Sequence, residues 1–467
     1  MDDTWRSQAI VLSVFGFLRD FRPSDPFMVQ FLTGKWHNLT SQEVNQDIFP
    51  VGTYSYGTQL VITFLITDYF RYKPLLVLAG IAGMLHWATM IWCTGIRWLQ
   101  LSEVFYGTLK AADVAFWSYI YARVDRSRYQ KITSYTKSSS MVGKFVAAVG
   151  SQALLFYGLV DYLDLNYVTM GVQVGITVIA LCLPAAPKSI YFNRRGSSET
   201  TGESTVTTTA ESADDVVDPP KPKDLSALEL LWFHVKTAYT NCTVLRYSIW
   251  YALSSCVYYQ TVLYVQVLWR TIGSAEAVHW NGAVEGLLTL CGAVITFSAG
   301  YVPSKALKLR NSLAALSWIS FAQGGILLAA GSARSIWVAY GCHILYSILH
   351  SFTMTLLSSE IAKHICRDSF GLIFGINATV GSLLQMLLTI VAVDGAGLFR
   401  ITINWQFALY GAVCWSLGVL FCVFWMIELK SWWRCVFFVL KSKLGSKQTL
   451  KVTTVPNEAK KSTVLSV

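Results

Sequence analysis

Long apolar stretches alternate with short polar connections along almost the whole chain. A helix that crosses a bilayer needs about 20 predominantly apolar residues. Twelve stretches qualify, at roughly 5–32, 48–69, 74–95, 98–123, 131–157 and 164–184, then 243–269, 278–302, 308–330, 334–362, 369–393 and 403–429. The pattern predicts an all-α membrane protein with two six-helix halves, over residues 1–185 and 241–430. Two such bundles around a central chamber are the arrangement of the major facilitator fold. There the substrate site lies near the bilayer midplane, and rocking of the halves alternates access to it.

Residues 186–240 break the pattern. Their centre, RRGSSETTGESTVTTTAESADDVVDPPKPK, is rich in Ser, Thr, Asp and Pro. It buries too little apolar surface to order itself, and a cytoplasmic linker is expected. Residues 431–467 form a basic tail with Lys441, Lys443, Lys447 and Lys451, expected to be disordered or to lie on the anionic inner leaflet. The first apolar stretch carries Arg19, Asp20, Arg22 and Asp25, so it reads as a retained helix and not a cleaved leader.

Charge fixes an orientation. With both termini inside, the inner connections hold Arg71 and Lys73, then Arg123, Arg126, Arg128 and Lys131, then Lys305, Lys308 and Arg310, then Lys363 and Arg367. The outer ones hold Lys35, Arg97, Arg270, Arg334 and Arg400. That asymmetry follows the positive-inside rule through every crossing. It places the sequon Asn38-Leu39-Thr40 outside, where Asn38 is a candidate glycosylation site. The sequons at Asn241 and Asn377 fall inside and within the membrane, and are set aside.

Composition agrees. The chain is 54% hydrophobic and 14% charged, against about 25% charged in soluble domains. The formal charge of +10 is spread over short loops and the tail, so no nucleic-acid partner is expected. Ten cysteines sit mostly inside apolar runs without a C-x-x-C pair, which reads as helix packing and not as a metal site. No phosphate-binding G-x-x-x-x-G-K-[ST] and no H-E-x-x-H occurs, so neither an enzyme nor a cofactor is expected.

Ionisable residues inside spanning helices mark function by default. Asp25 lies in Arg22-Pro23-Ser24-Asp25-Pro26-Phe27, where two prolines break the first helix. It either lines a polar chamber or partners Arg19 or Arg22. Lys110 and Asp113 share a helical face and form either a self-neutralised pair or a chamber carboxylate with a cation beside it. Lys137 and Lys144 share a face of the fifth helix, although Lys137 is also placed to snorkel. Glu285 follows Asn281 by one turn, a polar stripe. His343 and His350 share a face, as a proton relay or as packed, hydrogen-bonded rings. Glu360 with Lys363 suits an inner gate. Asp68, Arg71 and Lys73 are either gate bridges or a simple charged turn.

At this point a family comes into view. Arg22-Pro23-Ser24-Asp25-Pro26-Phe27, Asn38-Leu39-Thr40, Phe49-Pro50-Val51, Thr53-Tyr54-Ser55-Tyr56 and Thr67 through Pro74 occur in order. They are followed by Phe105-Tyr106-Gly107, Ala111-Ala112-Asp113-Val114-Ala115, Ser118-Tyr119-Ile120-Tyr121 and Tyr129-Gln130. The second half has Tyr264-Val265-Gln266, Asn281-Gly282-Ala283-Val284-Glu285 and Phe374-Gly375-Ile376-Asn377. Together they resemble the reduced folate carrier and thiamine transporter family, over about residues 5–429. The resemblance implies uptake of a heterocyclic vitamin across the plasma membrane, by a carrier that acts as a monomer.

The resemblance also bears on the substrate. Folate members have an Arg where Asp113 stands, an Arg at Ser347 and a Lys at Gln385; this chain has none of the three. Thiamine members have a Glu at Asp113, a Gln at Gln385 and a carboxylate at Asp25, which favours a thiamine-like cation. They stack substrate on a Trp where this chain has Gly52, and Lys110 and Lys144 replace uncharged residues. Asp25 and Asp113 are then expected to bind positive charge. Phe49, Tyr106, Phe116 and Asn281 would stack or orient a flat ring, with Lys110, Lys137, Glu285 and Gln385 nearby. Reduced folate taken up by anion exchange, and a vitamin receptor that does not transport, are the alternatives.

Overall fold

A computed structural model describes residues 3–67, 70, 72–116, 119, 129–184, 227–273, 280–299, 309–365, 369–393 and 401–449. The described secondary structure is helical throughout. In the first half, α1 (Asp3–Asp20) is followed by a 3-10 turn (Asp25–Phe27), α2 (Met28–Thr33), α3 (Ser41–Glu43), a π turn (Val44–Ile48) and α4 (Phe49–Ile66). Then come α5 (Lys73–Trp92), α6 (Ile96–Ala111), α7 (Tyr129–Phe156) and α8 (Tyr162–Cys182). The second half holds α9 (Ala227–Thr240), α10 (Cys242–Ile272), α11 (Asn281–Ala299), α12 (Leu309–Gly331), α13 (Ile336–Lys363), α14 (Phe370–Ala392) and α15 (Ile403–Thr449).

Helix α9 lies inside the stretch assigned to the linker. Leu230, His234 and Ala238 recur every fourth residue and are buried, which gives this helix a packed face. Helix α15 has 47 residues, about 70 Å at the helical rise, more than twice the hydrocarbon thickness. It therefore continues well beyond the bilayer into the stretch read as a tail.

Each half packs within itself: α1 on α7, α4 on α6, α5 on α6 and α8; then α10 on α13, α14 and α15, and α12 on α13 and α15. The longest seams between the halves are α7 against α11 and α4 against α14, and the segment between α1 and α4 also packs on α10 and α11. Close approach relies on small residues, as in other membrane bundles. A Cβ at Gly80 or Gly83 would run into Thr177 or Gln173 of α8. At the seam, a Cβ at Gly282 would sit 2.7 Å from the Ala148 carbonyl oxygen.

Helix α8 shows which side meets lipid. Val174, Val178 and Leu181 are exposed, while Gln173, Thr177 and Ala180 are buried. Apolar side chains face outward and polar ones inward, the reverse of a soluble helix. Six described helices contain a segment long and apolar enough to cross a membrane: α5, α7, α8, α12, α14 and α15. Those that fall short include α1, α4, α6, α10, α11 and α13. These carry Arg19, Gln59, Lys110, Gln266, Glu285 and His350; α6 has only 16 residues, and Asn281–Val294 of α11 is apolar but short.

Candidate functional site

The site is built around the break after α1. Pro23 and Pro26 stop the helix, as their missing N–H groups and fixed φ require. The backbone groups freed there find partners on both sides. The Ser24 N–H donates to Thr169 Oγ1 at 3.3 Å, and Trp87 Nε1 donates to Ser24 Oγ at 3.2 Å. From the other half, Gln266 Nε2 donates to the Asp25 carbonyl at 2.9 Å and Asn281 Nδ2 to the Pro26 carbonyl at 3.1 Å. Tyr340 donates its hydroxyl to Asn281 Oδ1 at 2.8 Å. Irregular backbone at membrane depth is tolerated when protein groups satisfy it in this way.

This arrangement leaves the Asp25 side chain half-buried. Its carboxylate makes no ion pair and no hydrogen bond among the described residues. It lies within the field of Arg22, Lys110, Lys144 and Glu285, which come from both halves.

Lys110 and Asp113 do not pair with each other. Helix α6 ends at Ala111, Ala112 forms a turn, and residues 113–116 are helical again, so what separates the two side chains is the partner Asp113 takes. Asp113 instead meets Arg19 Nη1 at 3.4 Å, and Arg19 Nη2 lies 3.2 Å from Asp20. Lys110 Nζ stands 5.4 Å from the centre of the Tyr106 ring, without a carboxylate at ion-pair distance among the described residues. Arg22 is buried beside them. Its Nε donates to the Arg19 carbonyl at 3.0 Å, its guanidinium lies 5.7 Å from the Trp87 ring centre, and its Nη1 has no partner.

Across the seam, Lys144 Nζ meets Glu285 Oε1 at 2.5 Å. Lys137, two turns earlier, is exposed and makes no ion pair among the described residues.

The ring-stacking candidates fare differently. Tyr106 packs beside His86, with ring centres 5.0 Å apart. Phe116 is covered by Phe15 at 5.0 Å and by the Arg19 guanidinium at 4.8 Å, so its faces are occupied. Phe49 is buried against Tyr264. Asn281 is occupied on both sides by Pro26 and Tyr340. Gln385 sits in an amide cluster with Gln260, which donates to Thr389 Oγ1 at 2.8 Å.

Glu103 is a site residue that the sequence reading passed over. It is buried on α6, one turn before Tyr106, and its carboxylate lies beside Gly52 of α4. A Cβ at Gly52 would collide with it. Gly52, read from sequence as a missing aromatic platform, thus makes room for a third carboxylate. The spacing Glu103, Tyr106, Lys110 along one helical face was the available signal.

His350 stacks flat on Tyr258 at 4.1 Å, and its Nδ1 is 3.1 Å from Ser254 Oγ, the packed arrangement. His343 meets the edge of Trp269 and lies in the field of Glu285. Lys363 pairs with Glu360. Asp68 and Arg71 lie outside the described residues, while Lys73 opens α5. Asn38 is exposed in a turn with φ of 53°. Its sequon partner Thr40 caps the next helix, and its N–H and hydroxyl both donate to Glu43.

Comparison with known proteins extends the picture. The reduced folate carrier family matches residues 3–409. Human thiamine transporter 1 is 32% identical over 456 residues, covering 90% of this chain and 89% of its own. Folate transporter 1 of Caenorhabditis elegans is 30% identical over 433 residues, covering 92% and 94%. The human reduced folate transporter is 29% identical over 434 residues, covering 90% and 72%. Among solved structures, the POT family transporter PepTSo superposes with a TM-score of 0.61 at 13% identity, covering 91% of this chain and 98% of its own. A D-xylose-proton symporter gives 0.60 at 10% identity, covering 89% and 96%. The fold is that of the major facilitator carriers.

Proposed function

We propose that this chain, which belongs to the reduced folate carrier family, carries a thiamine-like cationic vitamin across the plasma membrane by alternating access. One observation carries the choice of substrate charge. The Asp25 carboxylate has no cationic partner at contact distance and stands where both halves meet, with the Glu103 carboxylate on the same side of the molecule as Tyr106. An anion that makes no ion pair at contact distance is incompletely compensated in a membrane protein, and a cationic ligand supplies the missing contact. Binding therefore favours closure of the halves around the ring. Asp113 is already neutralised by Arg19 and serves to hold α1 to α6.

The structure's own contacts suit one stage of such a cycle. Gln266 and Asn281 of the second half grip the broken segment of the first, closing the side that the charge rule makes external. Opening that side requires those hydrogen bonds to part. Both termini then lie in the cytoplasm.

Uptake of reduced folate is the second reading, and Lys110 favours it, because its ammonium has no carboxylate at pairing distance among the described residues. Uptake of labelled thiamine into cells expressing the protein, challenged with unlabelled thiamine and with reduced folate, separates the two. The proposal expects thiamine to abolish the signal and folate to leave most of it. The reverse order of competition refutes it.

A further inference from the structure

Helix α9 is held as a rigid part of the second half and not as the loose end of a linker. Only Asn241 separates it from α10, and the Asn241 side chain caps α10 by accepting from the Thr243 N–H at 2.9 Å. The Asn241 N–H in turn donates to the Ala238 carbonyl of α9 at 3.2 Å. Leu230, His234 and Ala238 bury the packed face of the helix. From this braced end the Tyr239 hydroxyl reaches α14 and donates to Asn377 Oδ1 at 2.8 Å. Asn377 is buried, and its Nδ2 has no partner among the described residues.

That hydrogen bond stands opposite a contact between the halves. Gly375 precedes Asn377 by two residues, about 200° round the helix, so the two positions face opposite ways. A Cβ at Gly375 would lie 2.6 Å from Phe64 Cε2 of α4, in the first half. Three turns further along α14 the same side returns at Met386, whose Sδ would lie 3.4 Å from a Cβ at Gly57 of α4. The inner end of α14 is therefore held between Phe64 in front and Tyr239 behind. Gly375 has no side chain to set its spacing from Phe64, so the support behind α14 sets it. Resting on the carrier reading, we infer that Tyr239 and Asn377 are positioning residues. Their hydrogen bond keeps α14 seated on Phe64, so that the α4–α14 seam stays engaged while the halves rock. Helix α9 is then a strap of the carrier, and the chain before it is a tether.

The test uses the full-length protein, with labelled thiamine uptake at matched surface levels and melting of the purified protein in detergent. Tyr239→Phe is expected to lower kcat about fivefold and to leave KM within about twofold, since it touches no group at the substrate site. It also leaves the buried Asn377 amide unpaired and should lower the melting temperature by about 1–2 °C. The double variant Tyr239→Phe/Asn377→Leu removes that amide and should regain the stability, with kcat still about fivefold down. A double variant that regains kcat together with stability overturns the inference, because the bond then only satisfied a buried polar group. Wild-type kcat in Tyr239→Phe, or a change confined to KM, overturns it as well. Replacing residues 196–220 by a Gly/Ser stretch of equal length should leave kcat and KM within about twofold. A loss there as large as that of Tyr239→Phe assigns the effect to the tether and also overturns the inference. If Tyr239→Phe does not reach the surface, the double variant carries the kcat reading. Absence of thiamine uptake by the wild type overturns the carrier reading itself.

Discussion

Lys144 Nζ stands 2.5 Å from Glu285 Oε1, and this ion pair fastens α7 of the first half to α11 of the second. Both members of the pair act on Asp25 through their charge, so groups that hold the halves together also shape the field around that carboxylate. A carrier that rocks needs a seam that stays closed while its ends open in turn. The α7–α11 seam has the means: an ion pair, the Gln152 side chain accepting from the Ala283 N–H at 3.1 Å, and the close approach at Gly282.

Breaking that pair from one side is expected to destabilise the protein. Removing one member of a fully buried pair costs about 3–5 kcal/mol. The Lys144 side chain is 48% exposed, so about 1–2 kcal/mol is the better figure after screening. Lys144→Met should lower the melting temperature in detergent by about 2 °C. The swap of Lys144→Glu with Glu285→Lys should recover most of the loss, and equal losses in the single and swapped variants would show that the pair is not the source.

Gly52 gives a steric expectation. Gly52→Ala places a Cβ into the Glu103 carboxylate, and overpacking of this kind costs about 1–3 kcal/mol. Reduced surface expression and uptake should follow. Glu103→Ala in the same chain should restore expression without restoring uptake. Surface biotinylation beside a transport assay separates the two effects.

The legibility of these features differed for physical reasons. The all-helical membrane architecture was readable because apolar length obeys bilayer physics, which acts on the chain locally. The break at Asp25 was readable because proline acts on its own backbone. The Lys110–Asp113 relation was not, since Asp113 meets Arg19 of α1, a partner from another helix. Arg19, counted from sequence as a possible partner of Asp25, took Asp113 instead, across a packing interface that no local pattern encodes. Glu103 was missed for a similar reason: only the α4–α6 contact shows that Gly52 makes room for it. Helix α9 was hidden by the polar residues that precede it.

The outer turn offers a separate test. Thr40 both completes the sequon and caps α3, where its donors hold the Glu43 carboxyl below the usual carboxylate range. A depressed acid stabilises the cap above its unfolded pKa, and that contribution fades as pH falls through the lower folded value. Asn38→Gln should abolish any glycan shift on a gel and leave stability unchanged. Thr40→Ala should abolish the shift and also cost about 1 kcal/mol through the lost cap. Thr40→Ser should do neither. A Thr40→Ala protein as stable as Asn38→Gln would argue against the cap.

Asp113 and Asp25 should separate cleanly. Asp113→Asn removes one of the two carboxylates that Arg19 meets, the one that ties it to another helix, and should lower expression more than it raises the KM for thiamine. Asp25→Asn removes no ion pair, so the protein should reach the surface at the wild-type level. Flow cytometry of a tagged protein beside uptake checks both.

The most direct measurement is concentration-dependent uptake of labelled thiamine by the wild type and Asp25→Asn at matched surface levels. An unpaired carboxylate that receives the cationic ring predicts a fall in kcat/KM of at least about tenfold in the variant, the loss of roughly one charge-assisted contact. Equal uptake by the two proteins would contradict the account, because the carboxylate left open between the two halves would then have no part in holding the substrate.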